Sequence, residues 1–318
     1  MTTFDLPEFS AIVTSYYEER SIDEFYSKLS TALNDLGRSY EIVMVNDGST
    51  DSTFEKLRKL YEEDERVFCI IDFFKNSGQL AAITAAINEC RGEAILLIDS
   101  DLQLDPGELP LLVEEYDKGC DLVSGYRKNR KDSFFRLLPS KLANLIMRRV
   151  SQTTLRDFGC TFKIYNAKVL RAFDLGPNNI FNTASVISRI ARYSEVPVTH
   201  YPRKYGKSGW TFRKLWQFNM ENIVNLSEKP FQFIGLICFL SALLGVIRLA
   251  IELIYPITFL DEVTNGLLLN AVLISLLVLV GLICLVGEFA IRNFVAGQRL
   301  PKYIIREIYR RDSDVNTR

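Results

Sequence analysis

Two carboxylates, Asp99 and Asp101, stand one residue apart in "AILLIDSDLQLDP" (94–106), directly after an unbroken apolar run. Carboxylates gathered at one spot repel unless positive charge lies between them. A hard divalent cation, Mg²⁺ or Mn²⁺, supplies that charge. It takes one or two carboxylates and completes its shell with phosphate oxygens and water. Asp47, in "VNDGSTD", closes a second apolar run in the same manner. The competing reading of either acid is a solvated turn. What favours chemistry is position, because open parallel sheets bind their ligands at the carboxyl ends of the strands.

The elements that must hold these acids alternate along the chain. "FSAIVTSY", "YEIVMVN", "RVFCIIDF", "EAILLIDSD" and "CDLVSGYR" read as strands. Helical stretches follow the first four, over 21–36, about 51–61, 77–90 and 106–119. Pro106 suits the first turn of the last of these, where a missing N–H costs nothing. Continuous apolar strands alternating with helices predict an α/β fold, a Rossmann-like, mostly parallel sheet with helices on both faces. The ends of the second and fourth strands, with Asp47 and Asp99–Asp101, then share one edge.

Composition narrows the chemistry. The 318 residues carry a formal charge of −1, which gives no electrostatic case for nucleic acid, a partner that would need a basic face. The single histidine, His200, excludes a multi-histidine metal site and weighs against a Ser-His-Asp triad. The six cysteines form no C-x-x-C pair, which suggests neither a disulfide framework nor a zinc knuckle. Neither G-x-G-x-x-G after the first strand nor G-x-x-x-x-G-K-[ST] is present, against a dinucleotide enzyme or a P-loop NTPase. The first residues show no signal-peptide pattern.

The last third differs. The stretches 231–254 and 266–291 are each apolar and long enough to cross a bilayer. The loop between them, "YPITFLDEVTN", has two acids and no Lys or Arg, whereas Lys229 precedes the first span and Arg292, Arg299 and Lys302 follow the second. Positive-inside logic puts both flanks in the cytoplasm. The expected organisation is a cytosolic catalytic domain over 1–229, two transmembrane helices within 230–292 and a basic cytosolic tail over 293–318. Basic amphipathic stretches near 134–150 and 211–227 suit the membrane interface. Arg127 ends the fifth strand, and Arg136 and Ser140 lie one helical turn apart just beyond it. Such donors could meet a lipid phosphate at the membrane surface through charge-assisted hydrogen bonds.

Seven stretches, in order along most of the chain, carry a resemblance: "VNDGSTD", "KNSGQLAAITAAI", "LLIDSDLQLDP", "GYRKNRKDSFFRLLPSK", "RDFGCTFKIY", "RKYGKSGW" and "GEFAIRNFVAGQRLPKYII". The chain resembles the family 2 glycosyltransferases of the GT-A fold, in the polyprenyl-phosphate branch. That branch includes dolichol-phosphate mannose synthases, bactoprenol glucosyltransferases and the aminoarabinose transferases of lipid A modification. The resemblance implies that Asp101, Asp99 and Gln103 surround the cation. It puts Glu18, Asp47, Asn76 and Asp99 around the donor nucleotide, with Arg203 and Ser208 on its diphosphate. It sets Arg127, Arg136 and Ser140 around the acceptor phosphate, and Asp157 where the family has its proposed base. A phosphate monoester is already largely ionised near neutral pH, so Asp157 has the alternative task of positioning substrates. The chain departs from the usual "P-x-Y-N-E-E" at Thr14 and Tyr17, in "TSYYEE".

The implied reaction is inverting transfer of a sugar from a nucleotide-sugar to a polyprenyl phosphate, at the cytosolic face of the bacterial inner membrane. UDP-glucose and undecaprenyl phosphate are the first expectation. UDP-4-formamido-aminoarabinose or another hexose donor is the alternative, and an inactive GT-A scaffold binding a membrane partner a remoter one. A processive polysaccharide synthase would carry Q-x-x-R-W, which is absent. The resemblance also suggests a homotetramer and a downstream flippase as partners.

Overall fold

The computed structural model describes residues 6–128, 153–205 and 300–311, with separate helical residues between 240 and 297. The chain divides into two compact units, Met1–Ile223 with Pro301–Arg318, and Val224–Leu300.

The first unit is built on one eight-stranded sheet. Its strands are β1 (Phe9–Ser15), β2 (Tyr40–Asn46), β3 (Val67–Phe73), β4 (Ala94–Asp99), β5 (Leu122–Lys128), β6 (Lys163–Asn166), β7 (Tyr193–Thr199) and β8 (Ile305–Arg310). Their order is β7-β5-β6-β4-β1-β2-β3-β8. The pairs β1–β2, β1–β4, β2–β3 and β5–β7 are parallel. The pairs β3–β8, β4–β6 and β5–β6 are antiparallel. The expected parallel core is therefore present, and antiparallel strands are inserted beside β4 and added beyond β3.

Both faces are covered, which is why the strands are apolar throughout. Ala94, Leu96 and Ile98 of β4 join one cluster with Phe25, Leu29 and Leu33 of helix α1 (Ile22–Asp35), Leu57 of α2 (Thr53–Glu63) and Leu112 of α4 (Leu109–Asp117). Ile95 and Leu97, on the opposite pleat, join another with Ala82, Ala86 and Ile87 of α3 (Gln79–Glu89). The same cluster takes in Leu170 of α5 (Ala167–Arg171) and Val186 of α6 (Thr183–Ile187). Helix α1 buries Ile22, Phe25, Tyr26, Leu29 and Leu33, a 3-4 stripe, and stops at Gly37, whose φ of 65° only glycine takes without strain. Truncating a fully buried residue such as Leu29 to alanine would cost about 2–5 kcal/mol. In α3, alanines dominate the buried face, so the helix lies close on the sheet.

The segment read as a basic tail contains β8, an edge strand whose charged Arg306, Glu307 and Arg310 discourage further pairing. The expected span 231–254 falls almost wholly outside the described residues and the span 266–291 in part, while the interface stretches 134–150 and 211–227 lie outside them entirely. Among the described residues no helix is long and apolar enough to cross a membrane. Those described between 271 and 297 are helical, and Val272, Ile274, Leu276, Leu279, Ile283 and Phe289 are exposed.

Candidate active site

Because β1, β2 and β4 run parallel, their carboxyl ends meet at one edge. Thr14 of β1 is in register with Asp99 of β4, and Ser15 with Asn46 of β2. The acid pair sits there. Asp99 is tied down on both oxygens: Oδ1 accepts from Thr14 Oγ1 at 3.1 Å and from Gln79 Nε2, and Oδ2 accepts from Thr161 Oγ1 at 2.7 Å. Burial, then the neighbouring charge of Asp101, pushes its pKa up to about 6. Asp101 turns the other way. Its Oδ1 accepts from Gln103 N at 3.1 Å, and its Oδ2 accepts from Arg203 Nη2 at 2.7 Å. Directly after Asp101, Leu102 takes a positive φ of 59°, a conformation that recurs at functional turns.

Arg203 is shared. Its Nη1 lies 3.3 Å from Glu18 Oε1, and Ser21 Oγ donates to Glu18 Oε2. Burial pushes Glu18 up to about 7, against the pull of Ser21 and Arg203. Thus Glu18, Asp101 and Arg203 form one cluster, with a guanidinium between two carboxylates. This is the charge arrangement expected where a cation belongs. Among the described residues no three His, Cys, Asp or Glu side chains gather to hold an ion alone. The donor set nevertheless fits a hard cation: Asp101 and Gln103 would hold it, with phosphate and water completing its shell. Asp99, which accepts from Thr14, Gln79 and Thr161, is held beside the loop that presents Asp101.

Asp47 anchors the loop before α3. Its carboxylate accepts from Asn76 Nδ2 at 2.9 Å, Ser77 N at 2.7 Å and Gly78 N at 2.9 Å. Gly48 is obligatory here: φ is 68°, and a Cβ would come within 2.3 Å of the Lys75 carbonyl carbon.

Arg127 and Asp157 form a bidentate pair, Nε to Oδ2 at 2.6 Å and Nη2 to Oδ1 at 2.8 Å. Asp157 is buried, and burial alone would raise its pKa. The Arg127 hydrogen bonds and charge, aided by Lys163, overcome this and bring it down to about 2. Lys163 is itself fully buried beneath the pair, donating to the Phe158 carbonyl at 3.4 Å. One cleft is lined by Asp99, Asp101, Gln103, Arg127, Gly159, Thr161 and His200. The structure thus brings the acid pair and Arg127 to a common space. Arg136, Ser140 and Ser208 lie outside the described residues.

Sequence reasoning assigns no task to Thr161, Gln79 or Lys163, and meets His200 only as the lone histidine. Thr161 and Gln79 stand inside two of the matching stretches, and His200 stands three residues before Arg203, so proximity to assigned residues is the available signal.

A sheet whose parallel strands end in paired acids beside an arginine-held cleft defines the GT-A class of nucleotide-sugar enzymes. The chain matches the family described as glycosyl transferase family 2 over residues 10–173, and it belongs to that family as a glycosyltransferase. It is 32% identical, over 95% of its length and 93% of the relative's, to dodecaprenyl-phosphate galacturonate synthase of Rhizobium johnstonii. It is 29% identical to undecaprenyl-phosphate 4-deoxy-4-formamido-L-arabinose transferase of Pseudomonas syringae, over 100% of this chain and 95% of that one. Both relatives are polyprenyl-phosphate glycosyltransferases. Among solved structures, its fold is similar to that of glucosyl-3-phosphoglycerate synthase from Mycobacterium tuberculosis in complex with Mn²⁺, UDP-glucose and phosphoglyceric acid. The TM-score is 0.50, with 16% identity over 68% of this chain and 77% of that one.

Proposed function

We propose that this glycosyltransferase carries a sugar from a nucleotide-sugar to the phosphate of a polyprenyl lipid, with inversion at the anomeric carbon. The observation that carries the reading is the cleft shared by Asp99, Asp101 and Arg127. It offers one end for a nucleoside diphosphate and the other for an acceptor phosphate. An acceptor phosphate oxygen attacks the anomeric carbon as the bond to the nucleoside diphosphate breaks, and the electron pair leaves with the diphosphate. A cation held by Asp101 and Gln103 would neutralise that leaving charge. Arg203, now against Asp101 and Glu18, is within a side-chain swing of the same charge. Arg127 receives the acceptor phosphate, and Asp157 acts by fixing Arg127. A carboxylate with a pKa of about 2 is a poor proton acceptor at neutral pH.

UDP-glucose remains the first donor expectation and undecaprenyl phosphate the acceptor. The two relatives, named for formamido-arabinose and galacturonate, favour equally a UDP-pentose or a UDP-uronic acid. Two membrane helices near 231–254 and 266–291 hold the enzyme in the bacterial inner membrane. The exposed apolar side chains between Val272 and Phe289 support this. The test is incubation of the full-length protein with undecaprenyl phosphate and labelled UDP-glucose, UDP-galacturonate or UDP-4-formamido-arabinose. A lipid-linked product identifies the sugar. Folded protein that gives none with any donor would leave only the scaffold reading standing.

A further inference from the structure

Strand β8, contributed from beyond residue 300, reaches the donor side of the site through a buried polar relay. On the row across three strands, Asn46 of β2 faces Asp72 of β3, and Asp72 faces Glu307 of β8. The next step is irregular, since Phe73 pairs with Ile305. Arg306 is therefore the extra residue of a bulge, a device that re-aims a side chain. It aims at Asp72: Nη1 donates to Oδ2 at 2.9 Å, and Nη2 donates to the Phe74 carbonyl at 3.1 Å. Asp72 is 1% exposed, and its other oxygen accepts from Asn46 Nδ2 at 2.7 Å. Asn46, wholly buried, then accepts from Ser49 N through Oδ1 at 3.3 Å. Ser49 Oγ accepts from Tyr17 N at 3.0 Å. The relay thus ends in the Asp47-Gly48-Ser49 turn.

We propose that Arg306 is a positioning residue for the donor nucleotide, acting through Asp72 and Asn46 to hold the Asp47 turn. The logic is one of donors and acceptors. A carboxylate only accepts, so it draws the Asn46 amide nitrogen toward itself and leaves the amide oxygen for Ser49 N–H. A neutral Asp72 would be able to donate. Asn46 could then turn over and present its NH₂ to Ser49 N–H, donor against donor, and the turn would lose its tie. Asp72 has reason to become neutral: burial raises its pKa, and Glu307 adds to this. Asn46 and Arg306 oppose the rise. Arg306 is the one cation bonded to Asp72 among the described residues.

The inference rests on the reading that the Asp47 turn serves the donor nucleotide. The test uses full-length protein, with UDP and GDP titrated calorimetrically and kcat and KM measured with the active donor. Arg306→Met is expected to weaken nucleotide affinity about tenfold, with kcat at saturating donor within about twofold. Arg306→Lys should recover most of the loss. Asp72→Asn with Arg306 intact should weaken affinity to a similar degree, because Arg306 would take the amide oxygen and leave the amide NH₂ facing the Asn46 NH₂. A merely structural role would lower the folded fraction without separating KM from kcat. If Arg306→Met does not fold, Asp72→Asn decides: unaltered nucleotide affinity there overturns the proposal, as does unaltered affinity in Arg306→Met. Asp47→Ala separates the two ideas. If it leaves nucleotide binding intact, or if neither nucleotide binds the unaltered enzyme, the donor-site reading has failed and this inference falls with it. If Asp47→Ala abolishes binding while Arg306→Met does not affect it, only the relay is wrong.

Discussion

Replacing Asp157 by asparagine tests whether this residue is a base or an anchor. The native carboxylate makes two short bonds to Arg127 and has a pKa brought from 3.8 down to about 2. At 1.36 kcal/mol per unit, that shift is worth about 2 kcal/mol of folding stability. Because the folded pKa is depressed, this stability is present above pH 3.8 and is lost as pH falls through about 2. Asp157→Asn removes it at neutral pH, and the melting temperature should fall by roughly 4–8 °C. The kinetic signature separates the two roles. A general base contributes on the order of 10²–10⁴ to the rate, so its loss would appear in kcat with the acceptor KM unmoved. An anchor that lets Arg127 drift should raise the acceptor KM about tenfold and lower kcat less than tenfold. Steady-state kinetics with varied undecaprenyl phosphate, together with thermal melts, measures both. A thousandfold fall in kcat at unchanged acceptor KM would refute the anchor argument.

Three further outcomes follow from the same geometry. Arg203→Ala removes the guanidinium from Asp101 and Glu18, so nucleotide-free protein should bind Mn²⁺ more tightly, by about tenfold in an EPR titration, while turnover falls; weaker Mn²⁺ binding would contradict the shared seat. Asp99 and Glu18 have pKa values raised to about 6 and about 7, so the stability linked to them is complete below their unfolded values and lost as pH rises through these values. Melting temperature in EDTA should therefore fall between pH 5 and 8, and Mn²⁺ should stabilise more at pH 8 than at pH 5; a flat profile would contradict the shifts. Gly48→Ala forces a Cβ onto the Lys75 backbone at a left-handed φ, so donor KM should rise more than tenfold or the protein fail to accumulate, as soluble yield and donor kinetics would record.

The parallel core was legible because apolar runs buried on both faces leave an unmistakable pattern. β1 to β5 lie within a residue or two of the runs that announce them. The three remaining strands were not legible, for different reasons. β6, "KIYN", is four residues long and begins with a buried lysine. β7 contains Pro197, and β8, "IREIYR", is half charged and lies on an exposed edge without period-two alternation. Within the site, position at strand ends singled out Asp99, Asp101 and Asp47, and the family resemblance singled out Asp157. Neither could reveal that Asp99 accepts from Thr14, Gln79 and Thr161, or that Asp157 and Arg127 grip one another. Those partners stand up to 85 residues away in sequence and meet only because the sheet orders its strands β5-β6-β4-β1.

Strand β8 also bears on the order in which the molecule can be made. β3 needs residues 305–310 to cover its outer edge, and these are translated only after all of 224–300. Until then the nascent domain presents an open strand edge, with the Asp72 carboxylate awaiting its arginine. A chain that ends before residue 305 carries every acid of the cleft but leaves the β3 edge unpaired, a surface open to pairing with another chain.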